Sequence, residues 1–150
     1  MPFFTRKNKK PLGIYIHIPF CKSICNFCPY CKVRYDADLC DRYLDALLQE
    51  IRMVGSQYAE KKRVTSLYFG GGTPALVAGR LKETIDTCRE YFEITEGIGL
   101  ELHPDNVTVD TLQILKDAGV TKISISKEYR LCHVENKEDV KIMNQRALMY

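Results

Sequence analysis

A chain of 150 residues with 45% hydrophobic and 27% charged side chains is the size of one ordinary domain and carries apolar material for one core. Such a composition argues against disorder, a collagen-like repeat or a membrane span, and a net charge of +3 is too small to point to a nucleic-acid partner. The seven cysteines are an odd number, which does not suit a fully paired disulfide framework.

The first residues, MPFFTRKNKKPLG, lack the apolar centre of a secretion signal, and no later run is long enough for a membrane helix. A reducing cytoplasm is therefore expected, where clustered thiols are metal ligands or redox groups before they are disulfides. Residues 1–11, with Arg6, Lys7, Lys9 and Lys10, read as a solvated basic arm.

GIYIHI then reads as a strand, sending Ile14, Ile16 and Ile18 to one face and Tyr15 and His17 to the other. Pro19 ends its pairing, and a loop holding Cys21, Cys25, Cys28 and Cys31 follows. From Asp36 to about Val54 the apolar spacing is helical, through Leu39, Tyr43, Leu44, Leu47, Leu48, Ile51 and Val54, with Gly55 as the expected stop. RVTSLYF predicts a second strand running into GGGTP, and a second helix places Leu81, Ile85, Cys88 and Phe92 about a turn apart. GIGLELH predicts a third strand. TVDTLQILKDAG predicts a third helix, with Thr108 as N-cap and Gly119 as stop, and VTKISIS a fourth strand.

Strands alternating with helices predict an α/β fold of parallel βα repeats. Such sheets carry their chemistry at the C-terminal ends of the strands, whether open or closed into a barrel. The cysteine loop, the triple glycine and ELHP all fall at such ends, which argues for one site on one rim.

Four thiolates suit a tetrahedral zinc site, but structural zinc sites usually draw two pairs from separate knuckles, and no second CxxC occurs here. Cys21, Cys25 and Cys28 have the spacing C-x3-C-x2-C, which can ligate three corners of an iron–sulfur cube and leave one iron open to a further ligand. The spacing favours iron–sulfur, with zinc as the rival. Cys31 is extra: a spare ligand, or, better, a redox-sensitive thiol that packs as a small hydrophobe. Cys40, Cys88 and Cys132 read as structural.

CxxxCxxC, YIHIPFC and FGGGTP, in that order, resemble the radical SAM superfamily, and within it the oxygen-independent coproporphyrinogen III oxidase family with its related heme chaperones. The resemblance runs from about Gly13 to Ser126. It implies the N-terminal portion of a partial, TIM-like (β/α) barrel, a [4Fe-4S] cluster on Cys21, Cys25 and Cys28, and S-adenosyl-L-methionine as cofactor. Reductive cleavage of that cofactor to a 5′-deoxyadenosyl radical is the implied chemistry, with a porphyrin or heme-type substrate and a flavodoxin or ferredoxin as electron donor.

Carried over position by position, Tyr15, Phe27, Gly71, Gly72, Thr73 and Glu101 match cofactor-contacting residues of the family. Each also has a plainer reading. Tyr15 suits an interior strand aromatic and Phe27 a hydrophobic lid. Gly71, Gly72 and Thr73 suit a tight strand-to-helix turn with Thr73 as N-cap and Pro74 first in the helix, and Glu101 a solvated strand end. No GK[ST] follows the glycines, so they are not a nucleotide P-loop. His17 reads as a structural strand histidine, and His103 and His133 carry no readable role.

The resemblance stops after KISIS. The family continues with a segment like G-V-Q-S-F and further βα units, about six in all; this chain reads KEYRLCHVENK, without the glutamine, arginine and aspartate that complete the family's cofactor pocket. The sequence thus divides into the arm, a core over 12–126 and a divergent tail over 127–150. A shortened or frame-shifted family member whose final residues are unrelated to the fold explains the tail most simply, and an inactive fragment is then one of the open readings. The alternative is a tail that folds back over the last strand's open edge. A heme-binding chaperone without oxidase activity is the competing function, and a small zinc protein the next.

Overall fold

Alternating Ile14, Ile16 and Ile18 with Tyr15 and His17 builds the first strand, β1 (Leu12–Ile18), which buries Ile16 and Ile18 and leaves Tyr15 57% exposed. The computed structural model describes residues 12–24 and 31–125. After Pro19, a two-residue strand β2 (Phe20–Cys21) pairs in parallel with β3 (Val33–Arg34) as a small separate sheet that the sequence pattern does not announce.

Asp36 then starts α1 (Ala37–Gly55), its carboxylate accepting the Leu39 N–H at 2.8 Å. The helix buries Cys40, Leu44, Leu48 and Ile51, whereas Leu39 and Val54, expected on the buried stripe, are 40% and 41% exposed. Gly55 ends the helix as expected, though not through a left-handed conformation. It is the last helical residue, followed by Ser56 in the right-handed region, and it is bare because a Cβ there would lie 2.4 Å from the Tyr91 Cβ.

β4 (Lys62–Gly71) is the central strand. Leu12 pairs with Val64 but Gly13 with Ser66, so Thr65 is bulged, and Val64 and Leu67 both reach the core although three residues apart. A 3-10 turn (Pro74–Val77) leads into α2 (Ala78–Tyr91), which buries Leu81, Ile85 and Cys88. Phe92, expected as the next rung of that helix, instead opens a short strand, β5 (Phe92–Ile94). β6 (Ile98–Glu101) follows, then α3 (Val109–Ala118) and β7 (Lys122–Ser124). Thr108 caps α3 by accepting the Thr111 N–H at 3.2 Å, and Gly119 ends it at φ +104°, a conformation that favours glycine.

All strand pairs are parallel, and the main path runs β1–β4–β6–β7 in chain order, with β5 beside the start of β4. Helical crossovers between successive neighbours come back on the same face of the sheet. Accordingly α1 packs on α2 and α2 on α3. One side of the sheet is thus sealed by helices, Ile85 of α2 and Leu115 of α3 sharing one buried core with Ile18, Leu67, Phe69 and Leu100 of the strands, and the fold is a segment of a βα barrel rather than a doubly wound sheet. Among the described residues β7 pairs with β6 alone. The tail over 127–150 and the arm over 1–11 lie outside the described residues.

Candidate functional site

The parallel register brings two sequence motifs, some fifty residues apart, to one level: Ile18 at the end of β1 pairs with Gly71 at the end of β4, and His17 with Gly70. The chain then crosses over itself. Gly72 N–H donates to the Ile18 carbonyl and Thr73 N–H to the Phe20 carbonyl, both at 2.7 Å. The turn after β4 is therefore laced by its backbone to the segment that enters the cysteine loop.

Bare glycines are what permit this approach. A Cβ at Gly72 would stand 2.5 Å from the Phe20 carbonyl oxygen and 2.8 Å from the Cys21 Sγ. At Gly71, which also has φ +114°, it would stand 2.7 Å from the His17 ring and 2.8 Å from the Ile18 carbonyl oxygen. At Gly70 it would stand 2.9 Å from the Tyr15 hydroxyl. The room left at the three glycines is thus taken by Tyr15, His17 and the Phe20–Cys21 peptide of this same chain.

The cysteine loop is closed at its base. Val33 N–H donates to the Pro19 carbonyl at 2.7 Å, and Tyr35 N–H to the Cys21 carbonyl at 2.8 Å. His17 adds a side-chain tie: its Nε2 lies 2.8 Å from the Cys31 carbonyl oxygen and its Nδ1 3.1 Å from the Tyr15 hydroxyl. A carbonyl can only accept, so Nε2 carries the proton, and in the neutral ring Nδ1 accepts from the Tyr15 O–H. Behind the strand, the Tyr43 hydroxyl of α1 donates to the His17 carbonyl, and its ring meets the buried Phe20 edge-on at 5.5 Å between centroids. Burial raises the Tyr43 phenol pKa, so it stays a donor.

On the sheet face away from the helices, Tyr15 lies nearly parallel to Tyr68 at 6.4 Å between centroids, and the Tyr68 hydroxyl bonds that of Ser124. Gly99 makes way for the Tyr68 ring. Glu101, half-buried, ends β6 opposite Ser124 and one residue past the Phe69–Leu100 pair, on this same rim. Thr73 is 7% exposed and opens the 3-10 turn with Pro74 in its first position, as the sequence predicts, although its side chain makes no capping bond.

Of the predicted site residues, Cys21, Gly71, Gly72, Thr73 and Glu101 stand at or just beyond neighbouring strand ends and Tyr15, in the middle of β1, reaches Gly70 with its hydroxyl, while Cys25, Phe27 and Cys28 lie outside the described residues. Tyr15 is 57% exposed on the sheet face away from the helices. Cys31 is exposed too, which corrects the expectation of a packed thiol. Cys40 and Cys88 are buried as expected: desolvation pushes the Cys88 thiol up to about 12, and burial and Asp41 raise that of Cys40. Both stay protonated near neutrality and are unsuited to metal, which needs a thiolate. Cys132 lies outside the described residues. His103 is structural: its Nδ1 accepts the Asp105 N–H at 3.1 Å and caps the short turn Pro104–Asn106.

The sequence reading missed three participants, Tyr68, Ser124 and Tyr43, and left His17 out of the site. Tyr68 shares the phase of Tyr15 once β1 and β4 pair in parallel, a signal that exists only after the register is known.

A rim-borne cysteine loop laced to a glycine turn, on a segment of parallel βα barrel, is the arrangement expected of radical SAM proteins. The profile of the radical SAM superfamily matches residues 15–129, and the chain belongs to that superfamily. Within it, the chain is similar to the oxygen-independent coproporphyrinogen III oxidase of Pseudomonas aeruginosa, with 32% identity over 127 residues, covering 81% of this chain and 28% of the relative. It is also similar to the heme chaperone HemW of Lactococcus lactis, with 30% identity over 120 residues, covering 78% of this chain and 30% of the relative. Among solved structures, the coproporphyrinogen III oxidase HemN of Escherichia coli, a radical SAM enzyme, superposes with a TM-score of 0.78 at 29% identity, over 93% of this chain and 34% of that one. The chain thus spans about a third or less of the length of these relatives. No helix of the described residues is long and apolar enough to cross a membrane.

Proposed function

We propose that this chain is the cluster- and cofactor-binding part of a cytoplasmic radical SAM protein of porphyrin or heme metabolism, with 12–126 as the core between the basic arm (1–11) and the tail (127–150). Cys21, Cys25 and Cys28 would hold three irons of a [4Fe-4S] cluster as thiolates. The observation that carries the reading is the approach of Gly72 to Cys21: only a residue without a Cβ leaves the Cys21 Sγ its place at the rim.

The described donors fit such a group. Cys21 is half-buried at the mouth of a loop already closed by backbone bonds, and the two buried thiols elsewhere stay protonated. Among the described residues no three His, Cys, Asp or Glu side chains converge, as expected when Cys21 is the one described member of the triad.

Bound together, the cluster and S-adenosylmethionine supply one-electron cleavage of the sulfonium to methionine and a 5′-deoxyadenosyl radical. The chain's own residues bind and orient. Gly71, Gly72 and Thr73, whose turn is laced to the segment entering the cysteine loop, would set the rim against which the cofactor lies, the Glu101 carboxylate would accept hydrogen bonds from it, and Tyr15 would wall its site. Phe27, beside the third cysteine, keeps water from the cluster. An electron comes from a flavodoxin or ferredoxin.

The test is anaerobic reconstitution with iron and sulfide. The expected result is a brown protein with about four irons, lost in Cys21→Ala, Cys25→Ala and Cys28→Ala, and 5′-deoxyadenosine formed on adding S-adenosylmethionine and a strong reductant. Zinc, or no metal, in protein purified without oxygen overturns the reading. The likeness to heme chaperones supports a second outcome: heme bound in titration, with no decarboxylation of coproporphyrinogen.

A further inference from the structure

We infer that His17 is a positioning residue that fixes the exit of the cysteine loop before any metal binds. Three ties close that loop. Two are backbone bonds, Val33 to Pro19 and Tyr35 to Cys21, which form with almost any side chains. The third, His17 Nε2–H to the Cys31 carbonyl at 2.8 Å, is made by a side chain and is the tie closest in sequence to Cys28. Cys31 stands three residues after Cys28, so this bond fixes the chain just beyond the third thiol.

Both ring nitrogens of the imidazole are engaged. The Tyr15 hydroxyl fixes its Nδ1 and thereby its tautomer; bare Gly71, which has no room for a Cβ beside the ring, seats it; and the Tyr43 hydroxyl holds its backbone carbonyl. A histidine that only satisfied itself on a strand would need none of these. Closing a flexible loop costs entropy that metal binding must otherwise supply. A loop closed in advance presents its thiols at lower cost, which is what the His17 tie contributes. The Tyr15 hydroxyl, matched by resemblance to a cofactor contact, acquires a separate task in orienting this ring.

The local part of this inference stands on the metal-free protein, and only its consequence for iron rests on the proposed cluster. The experiment keeps the two apart, using the full chain with His17→Leu, which removes the bond, and His17→Gln, whose amide N–H reaches about as far as Nε2. In metal-free protein, tryptic cleavage after Lys32 and amide exchange at Val33 and Tyr35 are expected to rise about fivefold in His17→Leu, the worth of one net hydrogen bond, and to return to within about twofold of the parent in His17→Gln. Reconstituted His17→Leu should lose iron to a chelator faster by the same factor. Should His17→Leu fail to fold by circular dichroism, Tyr15→Phe, which frees the ring, takes its place with the same direction of change. Unchanged cleavage and exchange in a folded His17→Leu, or equal effects in Leu and Gln, overturn the inference. A parent chain that holds no iron overturns the cluster reading and leaves the proteolysis to judge His17.

Discussion

Replacing Gly72 by alanine probes the contact on which the site depends. The added methyl carbon would stand 2.5 Å from the Phe20 carbonyl oxygen, 2.9 Å from its carbon and 2.8 Å from the Cys21 Sγ. Ordinary carbon contacts are about 3.5–4.0 Å, so the deficit is on the order of 1 Å. Two of the three neighbours are backbone, which cannot swing aside as the end of a long side chain can. The strain must therefore move the turn away from β2, stretching the 2.7 Å bonds from Gly72 to Ile18 and from Thr73 to Phe20. Overpacking costs about 1–3 kcal/mol and each weakened bond up to about 1 kcal/mol more, so a loss of roughly 2–4 kcal/mol is expected. For a domain of this size that is a fall in melting temperature of about 8–15 °C. Gly79→Ala is the internal control. It lies in the first turn of α2 with nothing within 4 Å of its added carbon, and it should gain about 0.5–1 kcal/mol from helix propensity alone. Thermal unfolding of the metal-free chains by circular dichroism measures both, and iron retention after reconstitution measures the displacement of Cys21. If Gly72→Ala melts within a degree of the parent and holds iron as well, the packing argument for the glycine is wrong.

Leu100 is fully buried in the central layer of the sheet, so Leu100→Ala should cost about 2–5 kcal/mol by denaturant unfolding with little change in slope. Thr108→Ala removes the cap of α3 and should cost about 1 kcal/mol, recovered by Thr108→Ser. The Cys88 thiol, raised to about 12 by burial, should resist alkylation in the native chain at pH 8 while exposed Cys31 reacts, as mass spectrometry of the labelled peptides will show. The same shift sets a sign. Between the ordinary value of 9.0 and about 12 the unfolded chain gives up the Cys88 proton and the folded chain keeps it, so stability falls as pH rises through that window, by up to about 1.4 kcal/mol per pH unit. Cys88→Ala, which has no thiol to titrate, should flatten that part of the profile in urea unfolding at pH 8 and pH 10.

The elements were legible wherever a local pattern decides them. Period two wrote β1, apolar spacing wrote α1, capping chemistry at Thr108 and Gly119 wrote the ends of α3, and strand–helix alternation wrote the parallel sheet. What stayed hidden depends on partners distant in the sequence. The β2–β3 pair is two residues a side, too short for any periodicity. Phe92 carries the spacing of α2 but pairs through its backbone with Lys62 and so leaves the helix. Gly55 looks like a helix stop, yet it is glycine because Tyr91 presses on it. At the rim, the glycine and cysteine motifs were each readable. Their interlock was not, since it rests on the β1–β4 register.

That register explains why the two motifs must appear together. Slipping β4 by one residue against β1 would turn alternate side chains to the opposite face. Slipped one way, Phe69 would stand in the place of Gly70 against the Tyr15 hydroxyl; slipped the other way, Thr73 would stand in the place of Gly72 against the Cys21 Sγ. The glycines thus act as register pins for a pair of aromatic side chains, and the same pairing delivers Gly72 to Cys21. A single geometric condition, satisfied once by the parallel pairing of β1 with β4, sets the Tyr15–His17 tie to the loop exit and the room for the first thiol at its entrance. The metal-free chain consequently holds both ends of the cysteine loop through the sheet, which is why stability and iron retention should fail in step in Gly72→Ala while Leu100→Ala lowers stability with the loop geometry intact.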